Sequence, residues 1–121
     1  MNQHPINLKN KLNLFSEHWS PKIIAKMNDF EFKIAKIRGE FVWHSHPETD
    51  ETFIVIQGEM QIHLREGVAN LSEGELLVVP RGVEHKPIAH EECHILLIEL
   101  AGTINTGNSK DLRTIESSEW I

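Results

Sequence analysis

Gly39-Glu-Phe-Val-Trp-His44-Ser-His46-Pro-Glu-Thr-Asp-Glu51 and, two apolar segments later, Gly74-Glu-Leu-Leu-Val-Val-Pro80-Arg-Gly82-Val-Glu-His85 decide how this chain is read. His44 and His46 stand two residues apart, a spacing that an extended chain directs to one face. Pro47 to Asp50 are turn formers, so a loop can carry Glu51 back over the two imidazoles. His85 adds a third nitrogen from a separate hairpin. Imidazole and carboxylate are the ligands of a borderline divalent metal such as Fe, Mn, Ni, Cu or Zn. Three nitrogens and one oxygen leave one or two positions open, which distinguishes a catalytic site from a closed structural one. These four residues are therefore expected to meet around one metal inside a small β-barrel.

The surrounding segments read as strands. Phe30 to Ile37 alternates, with Phe30, Phe32 and Ile34 on one side and Glu31, Lys33, Ala35 and Ile37 on the other. Neither side is wholly polar, as for a strand whose two faces both meet neighbours. Thr52 to Gln57 and Met60 to Arg65 are rich in β-formers, and Gly58-Glu59 between them predicts a tight hairpin turn. Shorter strands follow at 68–71 and 76–79, and a long one at Cys93–Leu100. Gly58, Gly74 and Gly82 are expected at turns, and Pro80 is expected to end a strand and fix the approach to His85. Leu8, Leu12 and Phe15 predict a short N-terminal helix. Eight to ten short strands with glycine turns point to a barrel or a sandwich.

The bulk properties narrow the function. At 121 residues the chain is expected to form one domain. A net charge of -6 without a basic patch argues against nucleic acid. The single cysteine, Cys93, excludes an intrachain disulfide and suits a reducing compartment. No apolar run is long enough to span a membrane. The N-terminus lacks the pattern of a signal peptide, so a cytoplasmic location is expected.

The two motifs resemble those of the cupins. In that family a glycine precedes two histidines one residue apart, then a glutamate and a further glycine, here Gly39, His44, His46, Glu51 and Gly58. The spacing from the first glycine to the first histidine is one residue short of the usual one. The second motif, Gly74, Pro80, Gly82 and His85, keeps every spacing; Ala89 stands where the family often has an asparagine. The resemblance covers about residues 30–100. It implies an all-β double-stranded β-helix, a jelly-roll barrel, to which this sequence adds the short helix within an N-terminal extension (1–22) and a C-terminal tail (102–121). It also implies one divalent metal on His44, His46, Glu51 and His85, and a homodimer packed through residues 8–27.

Phe53 shares parity with Glu51 and is expected to line the pocket, with Met60 and Ile62 further along. The expected function is a metal-dependent enzyme acting on a small oxygenated substrate (a sugar, hydroxy ketone or keto acid), of isomerase, epimerase or oxygenase type. The alternative is a non-catalytic small-molecule-binding or sensor protein. No second carboxylate or histidine paired for acid–base work is evident in the sequence. Cys93 reads as a buried structural thiol, and Trp43 as a packing residue facing away from the metal.

Overall fold

The computed structural model describes residues 4–121; Met1–Gln3 of the N-terminal extension lie outside the described residues. The elements are α1 (Leu8–Leu12), β1 (Lys22–Met27), β2 (Phe30–Glu40), β3 (Glu51–Gln57), β4 (Glu59–Leu64), β5 (Gly67–Ser72), β6 (Leu76–Val79), β7 (His85–Leu100) and β8 (Glu119–Trp120). Asn7 caps α1 by accepting from the Asn10 backbone N–H, and the helix ends at Asn13 with only Leu12 buried. The β1–β2 turn places Asn28 in the left-handed region, where a short polar side chain is tolerated. Among the described residues no helix is long and apolar enough to cross a membrane.

Among the described residues eight strands join one sheet, in the order β5-β4-β7-β2-β1-β8, with β3 pairing β7 and β6 pairing β3. The expected closed barrel is therefore not formed. The strand order runs from β5 to β8 without joining end to end, and β3 and β6 branch from β7. The all-β character and the N-terminal helix stand; closure of the sheet does not.

Gly58 also differs from expectation. β3 and β4 do not pair with each other as a hairpin. They run one after the other along β7, with Thr52 to Gln57 opposite Ile98 to His94 and Gln61 to Leu64 opposite Ile88 to His85. Gly58, at φ 93°, is the corner between them. A Cβ there would lie 3.2 Å from the Glu92 carbonyl oxygen and 3.3 Å from Cys93 Cα. Glycine thus serves a close backbone approach in a bent strand, not a reversal. β7 bends at the same level: its pairing with β2 jumps from Ile37–Cys93 to Gly39–Ala89, and residues 90–92 bulge into solvent.

The two-sided character of β2 is explained by its two partners. Ala35 and Ile37 enter the inner core with Phe53, Val55, Ile62 and Ile95. Ile34, on the opposite face, packs with Leu12 and Ile24 beneath α1. Cys93 is fully buried in the inner core, and burial pushes its thiol up to about 11, so it is a packing residue and not a nucleophile.

Candidate metal centre

Residues 41–50 carry no regular strand, yet the ligand-bearing segment is firmly positioned. His44 and His85 exchange backbone hydrogen bonds, His44 N–H to His85 O at 3.0 Å and His85 N–H to His44 O at 2.9 Å. This isolated antiparallel bridge brings their ring centroids to 4.3 Å. Gly82, at φ 78°, donates its N–H to His46 O at 2.9 Å, so the second motif grips the first. From the other side Asn108 accepts from Ser45 N–H at 2.8 Å, and Ser109 donates its hydroxyl to Trp43 O at 2.8 Å. A Cβ on Gly107 would overlap the Ser45 carbonyl oxygen. The C-terminal tail is therefore moulded onto the segment that carries His44 and His46. Gly74, at φ 81°, occupies the turn before β6, and Pro80 follows that strand.

His44, His46, Glu51 and His85 come together: one ligand atom from each lies within 4.8 Å of all the others, and all four residues are buried. His44 Nδ1 and His85 Nδ1 each donate to the carbonyl of the residue two before them, Val42 at 2.8 Å and Val83 at 2.9 Å. A carbonyl only accepts, so each Nδ1 carries the hydrogen and each Nε2 keeps its lone pair. His85 Nε2 and His46 Nε2 each lie 3.3 Å from Glu51 Oε1. All three atoms are buried without a hydrogen-bond partner. Two acceptors facing each other in a buried site repel unless a cation stands between them. Two ligand atoms about 2.1 Å from a common ion lie roughly 3.0–3.4 Å apart at octahedral or tetrahedral angles. The donor set and its spacing therefore fit a divalent metal.

The electrostatics agree. Burial, then the neighbouring His85, pushes the His44 imidazole down to about 4, leaving it a neutral ligand near pH 7. Burial alone would raise Glu51, but a proton or a metal ion shared with the facing His46 and His85 nitrogens, together with the contact to Glu99, outweighs that and holds it well below the usual carboxylate range. Glu99 moves the other way: burial, then the Glu51 charge, pushes it well up, against the pull of Lys33. One of the two adjacent carboxyls is ionised and the other keeps its proton.

Glu99 is the residue that the sequence reading missed. It is 2% exposed and bonds Lys33 Nζ at 2.8 Å, while Lys33, equally buried, also approaches Glu31 at 3.8 Å. Strand parity carried the signal: Glu99 follows Cys93, Ile95 and Leu97 on the inward face, opposite Glu31 of β2.

A cavity of about 430 Å³, counted out to its mouth, opens against the cluster and is lined by His44, Glu51 and Glu99 at its polar end. Phe53 is among its lining residues, and Met60 and Ile62 are buried in the core. Trp19 and Phe41, not anticipated, do line it, and their rings stack at 4.6 Å. His46 instead borders a second cavity, beneath residues 100–107. Trp43 points elsewhere and stacks under the Arg65 guanidinium at 3.8 Å.

The model of the Cupin domain matches residues 30–99, and the chain belongs to the cupin family. It is 31% identical over 87 residues to the uncharacterized protein YdbB of Bacillus subtilis, covering 63% of this chain and 77% of that protein. Among solved structures it resembles a cupin-2 domain protein of Shewanella frigidimarina, at 55% identity and a TM-score of 0.77, over 78% of this chain and 93% of that one. It also resembles NMB1881 of Neisseria meningitidis, at 35% identity and a TM-score of 0.74, over 81% of this chain and all of the other.

Proposed function

We propose that this protein is a metal-dependent enzyme in which His44, His46, Glu51 and His85 hold one divalent ion, and that a small substrate reaches it through two adjacent oxygens. One observation carries the reading: the buried, unpartnered Nε2 atoms of His46 and His85 both face the ionised Glu51 Oε1 at 3.3 Å. When bound, the metal supplies Lewis acidity toward a chelated oxygen. The chain's own residues supply the rest. Nδ1–H bonds to Val42 O and Val83 O orient two of the imidazoles. The apolar walls exclude water, which strengthens every charge interaction at the polar end. Glu99 adds a second carboxyl beside that end, within the same cavity as His44 and Glu51. A reducing, cytoplasmic setting is consistent with the lone buried thiol of Cys93. A second copy of the chain is the proposed partner, docked through residues 8–27, where Leu14 and Met27 are exposed; size-exclusion chromatography with light scattering reads this.

The functional test is elemental analysis of the purified protein, followed by a screen of hydroxy ketones, keto acids and enediols. About one metal per chain is expected, and His46→Ala should remove both metal and turnover. Turnover that persists in metal-free protein refutes the reading. A bound metal and bound ligands with no turnover of any compound support a binding protein instead.

A further inference from the structure

The walls of the cavity restrict what can occupy it. Trp19 and Phe41 stack with an interplanar angle of 14°, Phe41 meets His44 edge-on at 5.4 Å, and Phe53 meets His85 at 5.9 Å. Ile37, Ile95 and Leu97 complete an apolar surround. Away from the polar end, the lining offers one polar side chain outside Trp19, and it is already engaged. Asn105 donates Nδ2 to Trp19 O at 3.2 Å and Arg113 O at 2.9 Å, and its Oδ1 accepts from Ile115 N–H at 2.6 Å. The Trp19 indole N–H is likewise engaged with Arg38 O at 2.9 Å. Hydrogen-bonding capacity free for a ligand is therefore gathered at His44, Glu51 and Glu99.

Trp19 is also held where a bulky residue rarely sits. Its φ is 58°, in the left-handed region. Such a conformation persists only where the surroundings over-determine it. Here the backbone N–H is tied to Lys36 O at 2.9 Å, the carbonyl to Asn105 and the indole to Arg38. Three separate tethers fix this ring at the cavity wall.

We propose that the substrate is a compact, flat, unsaturated ring carrying two adjacent oxygens, and that Trp19 is the specificity-determining residue that receives the ring. This rests on the metal-site reading above and deepens it. A polyol or sugar of the same size would bury hydroxyls against Phe53, Ile95 and Leu97 with no partner. Each such hydroxyl weakens binding by roughly five- to a hundredfold. A flat ring loses nothing there and gains stacking and edge contacts.

The test uses full-length protein loaded with Zn(II), which has no redox chemistry, and isothermal titration calorimetry with three probes. Tropolone has two adjacent oxygens on a flat ring, acetohydroxamate chelates without a ring, and D-ribose is a polyol. Each dissociation constant is divided by that of the probe for Zn(II) in solution. After this correction tropolone should bind at least about tenfold better than acetohydroxamate, and ribose should bind worse than both. Trp19→Leu should erase most of the tropolone advantage while leaving acetohydroxamate unchanged, and Trp19→Phe should restore it. Equal corrected affinities for tropolone and acetohydroxamate, or tight ribose binding, overturn the proposal while the metal site stands. Failure of the protein to retain Zn(II) overturns both. The three-probe comparison on the unmodified protein decides the matter even if Trp19→Leu does not fold.

Discussion

Gly107→Ala perturbs the proposed metal site without touching a ligand. The backbone there has φ 54°, so an alanine is strained by about 1 kcal/mol before any contact is considered. Its Cβ would overlap the Ser45 carbonyl oxygen, approach the Ser45 carbonyl carbon to 2.9 Å and reach within 3.1 Å of His46 Nδ1. Ordinary contact begins near 3.4 Å, so the Ser45–His46 peptide or the tail must retreat by about 1 Å to clear the carbonyl oxygen. Metal–ligand distances tolerate only about 0.2 Å. If the ligand segment yields, the loss should resemble that of a supporting residue, roughly 10–100-fold in metal affinity. If the tail yields, Asn108 releases Ser45 and Ser109 releases Trp43, with a similar result. The assay is Zn(II) competition against a chromophoric chelator, alongside thermal melts in chelator. The metal-free variant should melt a few degrees lower, since 1–2 kcal/mol moves a domain of this size by roughly 3–8 °C. Unchanged Zn(II) affinity, with unchanged melting, would refute the idea that the tail positions the ligands.

Three further outcomes follow from the same geometry. Exhaustive chelation should lower the melting temperature, and re-addition of Zn(II) at a hundred times its dissociation constant should return about 2.7 kcal/mol, read by urea titration. Lys33→Met leaves the buried Glu99 carboxyl without its 2.8 Å hydrogen-bond partner and should cost about 1–3 kcal/mol of stability in denaturant unfolding. In metal-free protein His44, depressed to about 4 from an unfolded value near 6.5, contributes stability that is complete above pH 6.5 and lost as pH falls toward 4, about 3 kcal/mol in all. Glu99, whose protonated form is favoured by folding, acts in the opposite sense as pH rises, so the His44 share is measured as the difference between wild type and His44→Asn.

The four candidate ligands were legible because their spacing is set by local chain geometry: two imidazoles one residue apart, a loop, a carboxylate, and a second motif with fixed turns. Glu99 was legible in principle, since a charged residue on the parity of Cys93, Ile95 and Leu97 must be buried and therefore paired. It went unread because Lys33, its partner, lies 66 residues away on another strand. The Gly58 corner was misread because a glycine at positive φ suits a hairpin and a bend equally; only the pairing of β3 and β4 with β7 separates them. Closure of the sheet is likewise a property of long-range pairing, not of any segment. Trp19, Asn105 and Gly107 sit in segments without periodicity, where sequence carries little information on what touches what.

β7 begins at His85 and ends one residue past Glu99, and both of these residues border Glu51. A single strand thus leaves the site, turns at its bulge and comes home to it. Side chains alternate along a strand, so sliding β7 by one residue against its neighbours would evict the imidazole and the carboxyl together. A misaligned chain loses both contributions at once, and bound metal would certify that the central strand has found its alignment.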